Sequence, residues 1–107
     1  MKIVTKKEGI QLIVRKITYM AKPGRDILEW IQDNCQAMRA LKGMRKVDFI
    51  HSKGEPDEWG ALMYFNKAKH LDKYKESGPY KDLVKSLSEY ADMTKPIKDE
   101  VFDFLEV

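Results

Sequence analysis

Met44-Arg45-Lys46-Val47-Asp48-Phe49-Ile50-His51-Ser52, the turn Lys53-Gly54-Glu55-Pro56-Asp57, and Trp59-Gly60-Ala61-Leu62-Met63-Tyr64-Phe65 make up the stretch that decides the fold. In its second arm Trp59, Ala61, Met63 and Phe65 alternate with Gly60, Leu62 and Tyr64, the two-residue period of a strand. In its first arm Val47 and Phe49 alternate until Ile50 breaks the pattern. The glycine and proline between the arms favour a reversal, so the whole reads as a β-hairpin.

Upstream of the hairpin, Ile27, Leu28, Ile31, Cys35, Met38 and Leu41 recur at three- and four-residue spacing, which predicts an amphipathic helix of about five turns. Asp26 and Glu29 lie in its first turn and Arg39 and Lys42 in its last, as the helix dipole favours, with Gly43 as the expected C′ residue. Before it, residues 10 to 20, Ile10-Gln11-Leu12-Ile13-Val14-Arg15-Lys16-Ile17-Thr18-Tyr19-Met20, are rich in β-branched and aliphatic types and read as a strand that stops at Lys22-Pro23-Gly24. Downstream, Lys67 to Glu76 reads as a helix capped by Asn66, broken at Ser77-Gly78-Pro79, and followed by a second helix from Tyr80 to about Ala91. The segment from Glu100 to Val107 is apolar enough to predict a last strand with both faces partly covered.

Strand, helix, hairpin, helix pair and strand is the split βαβ order of a ferredoxin-like α+β fold with an antiparallel sheet. Its 107 residues suit a single domain with one core, spanning 1–107. Helices cover one face of such a sheet. The other face carries a second apolar set drawn from Leu12, Val14, Val47, Phe49, Leu62, Tyr64, Phe102 and Phe104, the sequence leaving open which alternating set points to which face. So large an apolar face needs a cover, and a second copy of the chain is the expected one.

Composition narrows the function classes. The chain is 43% hydrophobic and 35% charged, with a net charge of +3 whose two signs are interspersed. No basic face is concentrated enough to predict a nucleic-acid partner. No apolar run approaches the roughly 20 residues that span a bilayer, and the charged N-terminal stretch has no secretory pattern, so a cytoplasmic protein without membrane partner is expected. Cys35 is the only cysteine and reads as a small buried hydrophobe. No glycine-rich phosphate loop, no Gly-x-Ser-x-Gly elbow and no metal-ligand spacing occurs, so neither a metal nor a cofactor is expected.

Taken in order, Tyr19-Met20-Ala21-Lys22-Pro23-Gly24 before a long helix, Leu41-Lys42-Gly43 before a strand, Trp59 to Asn66, and Leu71 to Ser77 followed by Gly78-Pro79-Tyr80-Lys81-Asp82-Leu83 resemble the antibiotic biosynthesis monooxygenase family. The resemblance runs from about Gln11 to Val107. It implies a dimeric α+β barrel. It also implies a range of activities, from cofactor-free oxygenases of phenols and quinols to haem degradation to no assigned reaction. The haem-degrading branch uses an Asn on the first strand, a Trp near the end of the third and a His on the next helix. Here the first strand has no Asn, Phe65 stands in place of the Trp and Tyr74 in place of the His, so that branch is not expected.

An oxygenase reading needs a base to ionise a small aromatic substrate and a dry pocket in which the anion meets O₂. His70, Tyr74 and His51 are the catalytic candidates. His70 lies between charged neighbours and also reads as a surface residue; His51 also reads as hairpin packing. Trp59, Tyr64 and Phe65 are candidates to line an aromatic pocket, and also read as core or interface aromatics. Arg15 is a charge in the middle of a strand, which must find a partner, solvent or an anion. The alternative function is a non-catalytic dimeric barrel that binds a ligand or acts in stress.

Overall fold

The computed structural model describes residues 12–105. Its elements are β1 (Leu12–Met20), α1 (Ile27–Arg39), β2 (Met44–His51), β3 (Glu58–Phe65), α2 (Ala68–Glu76), α3 (Gly78–Leu87) and β4 (Lys98–Phe104). Ile10, Gln11, Glu106 and Val107, assigned above to the first and last strands, lie outside the described residues.

The strands form one antiparallel sheet in the order β2-β3-β1-β4, the ferredoxin-like arrangement expected from the sequence. Register decides which alternating set meets the helices. Arg15 pairs with Met63 and Val101, Ile17 with Ala61 and Asp99, and Phe49 with Ala61, so these side chains share one face. That face is the core: Tyr19, Val47, Ala61, Met63 and Phe65 are buried in it beside Ile27, Trp30, Ile31 and Met38 of α1. The opposite face carries Val14, Leu62, Tyr64, Phe102 and Phe104. Val47 and Phe49, grouped above with that second set, point to the helices instead.

Several local expectations change. Helix α1 has 13 residues and ends earlier than the apolar spacing suggests, with Asp26 as N-cap accepting from the Leu28 amide and Ala40 as C-cap. Its buried stripe includes Trp30, whereas Leu28 is 45% exposed. One residue is a rotation of about 100° around a helix, which carries Leu28 off the stripe of Ile27 and Ile31. Gly43 is not the C′ residue. It takes a left-handed φ of 90° in the turn that feeds β2, and a Cβ there would stand 3.2 Å from Cβ of His70.

Asn66 does not cap α2; Lys67 holds that position without a side-chain cap, and the Asn66 carbonyl accepts from Arg45. The break between α2 and α3 is built on Ser77, whose Oγ donates to the Tyr74 carbonyl and accepts from the Tyr80 amide, closing one helix and starting the next. Helix α3 ends at Leu87, and Ala91 instead makes a buried bridge with Ala21. Strand β4 was expected to be covered on both faces. It pairs only with β1, at the sheet edge, and every one of its residues is exposed.

Trp30 ties α1 to α3, since its indole N–H donates to Ser86 Oγ at 2.6 Å while the ring is 4% exposed. Trp30→Phe removes that bond and part of the ring, and should lower the unfolding free energy by about 1–3 kcal/mol in urea denaturation. An unchanged midpoint and slope would show that the helices are not coupled in this way.

Candidate functional site

The covered sheet face and the helices do not close completely on one another. A cavity of about 50 Å³ remains, floored by Ile17, Phe49, Ala61 and Met63 and roofed by Trp30, Tyr74, Tyr80 and Leu83, with Val84 and Leu87 at its side. The flooring residues are there because β1, β2 and β3 point alternate side chains the same way. Tyr80 and Leu83 of the roof, with Val84 and Leu87 at the side, belong to α3, a helix with no fully buried residue.

Arg15 is the one charged side chain among the residues that line the cavity, and it is 2% exposed. Its Nε donates to Asp99 Oδ1 at 2.9 Å and its Nη2 to Asp99 Oδ2 at 2.7 Å, a two-point fork across β1 and β4. Nη2 also donates to the Tyr80 hydroxyl at 3.1 Å, and the guanidinium carbon lies 5.4 Å from the Tyr80 ring centre. Burial pulls the arginine pKa down, but the bonds to Asp99 and Tyr80 outweigh it and hold the group above its ordinary value. The bond from Arg15 keeps the Asp99 carboxyl below its usual range, although burial opposes it. Nη1 is buried and has no partner among the described residues.

Aromatic packing sets the rest of the roof. Tyr74 lies edge-on to Tyr80 with ring centres 4.9 Å apart, and 5.4 Å from Phe65. Burial, with Tyr80 adding to it, pushes the Tyr74 phenol up to about 12, so at neutral pH its hydroxyl is a donor and not a base. Tyr19 is pushed up to about 12 by burial alone.

Of the residues singled out in the sequence, Arg15 and Tyr74 line this cavity, and Phe65 packs behind Tyr74 in the core. The others are elsewhere. His51 stacks on Trp59 at the hairpin end, with ring centres 3.9 Å apart, and its Nε2 is 2.7 Å from the Pro56 carbonyl oxygen. Tyr64 is on the opposite sheet face, against Phe104 and under Lys46. His70 packs over Gly43 near the start of α2, where its Nδ1 is buried without a partner among the described residues. Asp99 and Tyr80 escaped sequence reading as site residues because they are 84 and 65 positions from Arg15 along the chain. The one available signal was that a charge in the middle of a strand demands a distant partner. Among the described residues no group of His, Cys, Asp and Glu could hold a metal ion. None of the described helices is long and apolar enough to cross a membrane.

The Asp99 shift has a direction that solution measurements can read. A carboxyl with a depressed folded pKa contributes stability that is present above its unfolded value, near 3.8, and is lost as pH falls through the lower folded value. Thermal midpoints of the wild type should therefore drop more steeply below about pH 4 than those of Asp99→Asn. Parallel pH profiles would mean that the fork adds no pH-dependent stability.

No family model matches the sequence, and no curated protein matches it. Solved structures do match. One from Bordetella bronchiseptica, described as a "putative antibiotic biosynthesis monooxygenase", is 13% identical with a TM-score of 0.77, over 89% of this chain and 98% of that one. One from Bacteroides thetaiotaomicron, of unknown function and described as a "possible oxidoreductase", is 16% identical with a TM-score of 0.67, over 89% and 98%. A protein of unknown function from Nitrosomonas europaea is 13% identical with a TM-score of 0.75, over 92% and 93%. At such identities the likeness is one of fold. The chain has the ferredoxin-like α+β architecture of structures described as "putative antibiotic biosynthesis monooxygenase".

Proposed function

We propose that the chain works as a homodimer joined through its sheets, and that the cavity between sheet and helices is the active site of a cofactor-independent monooxygenase-type enzyme for a small phenol or quinol. The observation that carries this reading is an apolar, aromatic cavity whose lining residues include buried Arg15 and Tyr74 and half-buried Tyr80. Such a wall holds a ring, and the donors hold its oxygen. Fold relatives described as a monooxygenase or an oxidoreductase lend support by analogy.

In the proposed reaction the bound phenol loses its proton and the electron-rich ring carbon takes up O₂. One oxygen atom becomes the new carbonyl of a quinone and the other leaves as water. The substrate supplies all four electrons, so no reductant is needed. Neither His51 nor His70 lines the cavity, and Tyr74 holds its proton. The site therefore favours ionisation by donating to the phenolate oxygen, with the substrate proton leaving to solvent.

Dimerisation follows from the sheet face away from the helices. Ile50, Phe102 and Phe104 are 39%, 48% and 42% exposed there, beside Leu62 and Tyr64. Lys16, Asp48 and Glu100 stand level with Leu62 on this face, and its apolar residues gather where Val14, Tyr64, Phe102 and Phe104 meet; an exposed apolar patch marks an interaction surface, and a two-fold pairing buries the same patch on both copies. A second reading, a non-catalytic dimeric barrel, draws on the cavity's size: about 50 Å³ is well below the several hundred Å³ of typical ligand pockets.

Sedimentation of the purified chain should report a dimer, and Phe102→Lys should shift it toward a folded monomer, because the residue is half-exposed in the single copy and can solvate a charge. A wild-type monomer would remove the pairing. Oxygen uptake with a panel of phenols and quinols should match substrate consumed one for one, and fall at least about tenfold in Tyr74→Phe. No uptake with any member, in wild type, would favour the non-catalytic barrel.

A further inference from the structure

We infer that the sheet face away from the helices carries a second binding site, a hollow above the Thr18 and Gly60 pair that takes a small zwitterion, its carboxylate at Lys16 and its ammonium at Glu58. The site is separate from the cavity between sheet and helices and independent of the reaction proposed there.

The hollow has a volume of about 220 Å³, and its lining includes Lys16, Thr18, Ile50, Glu58, Trp59 and Gly60. A cavity of roughly 150 Å³ holds benzene, so this space admits a small organic molecule as it stands. Register explains where it lies. Thr18 pairs with Gly60 and Lys98, and Gly60 also with Ile50, so a residue without a side chain stands between Ile50 and Thr18 on this face. Ile50 leans over that bare backbone, since a Cβ at Gly60 would meet its Cγ1 at 3.1 Å. Val14, Tyr64 and Phe102, of the apolar end proposed to pair with a second copy, lie beyond Lys16, on the side away from the hollow.

Charge decides the kind of ligand. Lys16, Thr18 and Glu58 are all half-buried, and neither Lys16 nor Glu58 is in an ion pair among the described residues. Lys16 stands level with Leu62, four residues along β3 from Glu58, which separates the two backbones by roughly 13 Å along the strands. The Thr18 and Gly60 pair is midway between them, so a cation and a carboxylate flank the hollow from its two ends. The Thr18 hydroxyl adds a donor and an acceptor at its centre. The remaining charges on this part of the face balance: Lys98 is beside Thr18, Glu100 beside Lys16, and Asp48 is bound to Lys46. A ligand with one charge gains at one end of such a site and is repelled at the other, whereas a dipolar ligand with separated charges gains at both. Ile50 offers an apolar surface to the carbons between them.

The test titrates 6-aminohexanoate, hexanoate and hexylamine into the full chain at neutral pH and low salt, following the Trp59 indole N–H by NMR, with the Trp30 indole N–H reporting on the inner cavity. 6-Aminohexanoate should bind at least about threefold tighter than either singly charged probe, the expected effect of one partly exposed ion pair, and should move Trp59 and not Trp30. In Lys16→Met its advantage over hexylamine should vanish while that over hexanoate stays, and Glu58→Gln should do the reverse. In Phe102→Lys the affinity should be unchanged; its loss would put the hollow between two copies and overturn a site on one chain. Equal binding of the three probes to the wild type, or tightest binding of a singly charged one, would overturn the zwitterion class. A response of Trp30 alone, or of neither indole, would overturn the site itself.

Discussion

A guanidinium removed from water needs a counter-charge and acceptors, and two elements of this structure are fastened by that need. Arg15 stands in the middle of β1, on the face that meets the helices. Its fork to Asp99 fastens the edge strand β4, all of whose residues are exposed, to the strand beside it. Its bond to Tyr80 fastens α3, which buries no residue fully, to the sheet. The two most weakly embedded elements are thus both held through one side chain. Breaking one partner of such a buried group costs more than the pair itself contributes, because the remaining charge is stranded.

The same side chain gives the cavity its chemistry. An enclosure lined by Ile17, Phe49, Ala61 and Met63 would hold only hydrocarbon. In the reading proposed above, Arg15 at its wall and the Tyr74 and Tyr80 rings above it would orient an oxygen and favour a charge that develops there. The histidines, which the chemistry of proton removal made attractive, belong to the hairpin end and to the turn at Gly43. Tyr74, raised to about 12, is a donor at neutral pH. In the proposed reaction the site therefore offers donors without a base, and stabilisation of the anion takes the place of proton abstraction.

Alternation and helical spacing carried the fold. Trp59 to Phe65 keeps a strict period of two and is a strand. Ile27, Ile31 and Met38 keep helical spacing and are buried in α1. Ser77-Gly78-Pro79 breaks the helical run, and Ser77 caps both sides of the break. Errors arose where the local signal was ambiguous. Leu28 is as apolar as Ile27 but a third of a turn away, and Asn66 is a good capping type one residue too early. Within one copy β4 is exposed along its length, because composition reports how apolar a strand is and not what lies over it.

The sequence by itself determined the element order and the ferredoxin-like sheet, because periodicity and turn chemistry are local properties of neighbouring residues. It also marked Arg15 as a charge that needed explaining, since a strand leaves no local place to solvate it. Only the tertiary structure decided that Asp99 and Tyr80 answer it, that Val47 and Phe49 face the helices, and that the histidines stand away from the cavity. Those outcomes depend on register and on contacts between residues tens of positions apart. A shift of one residue in strand pairing would have turned Asp99, Val47 and Phe49 to the other face.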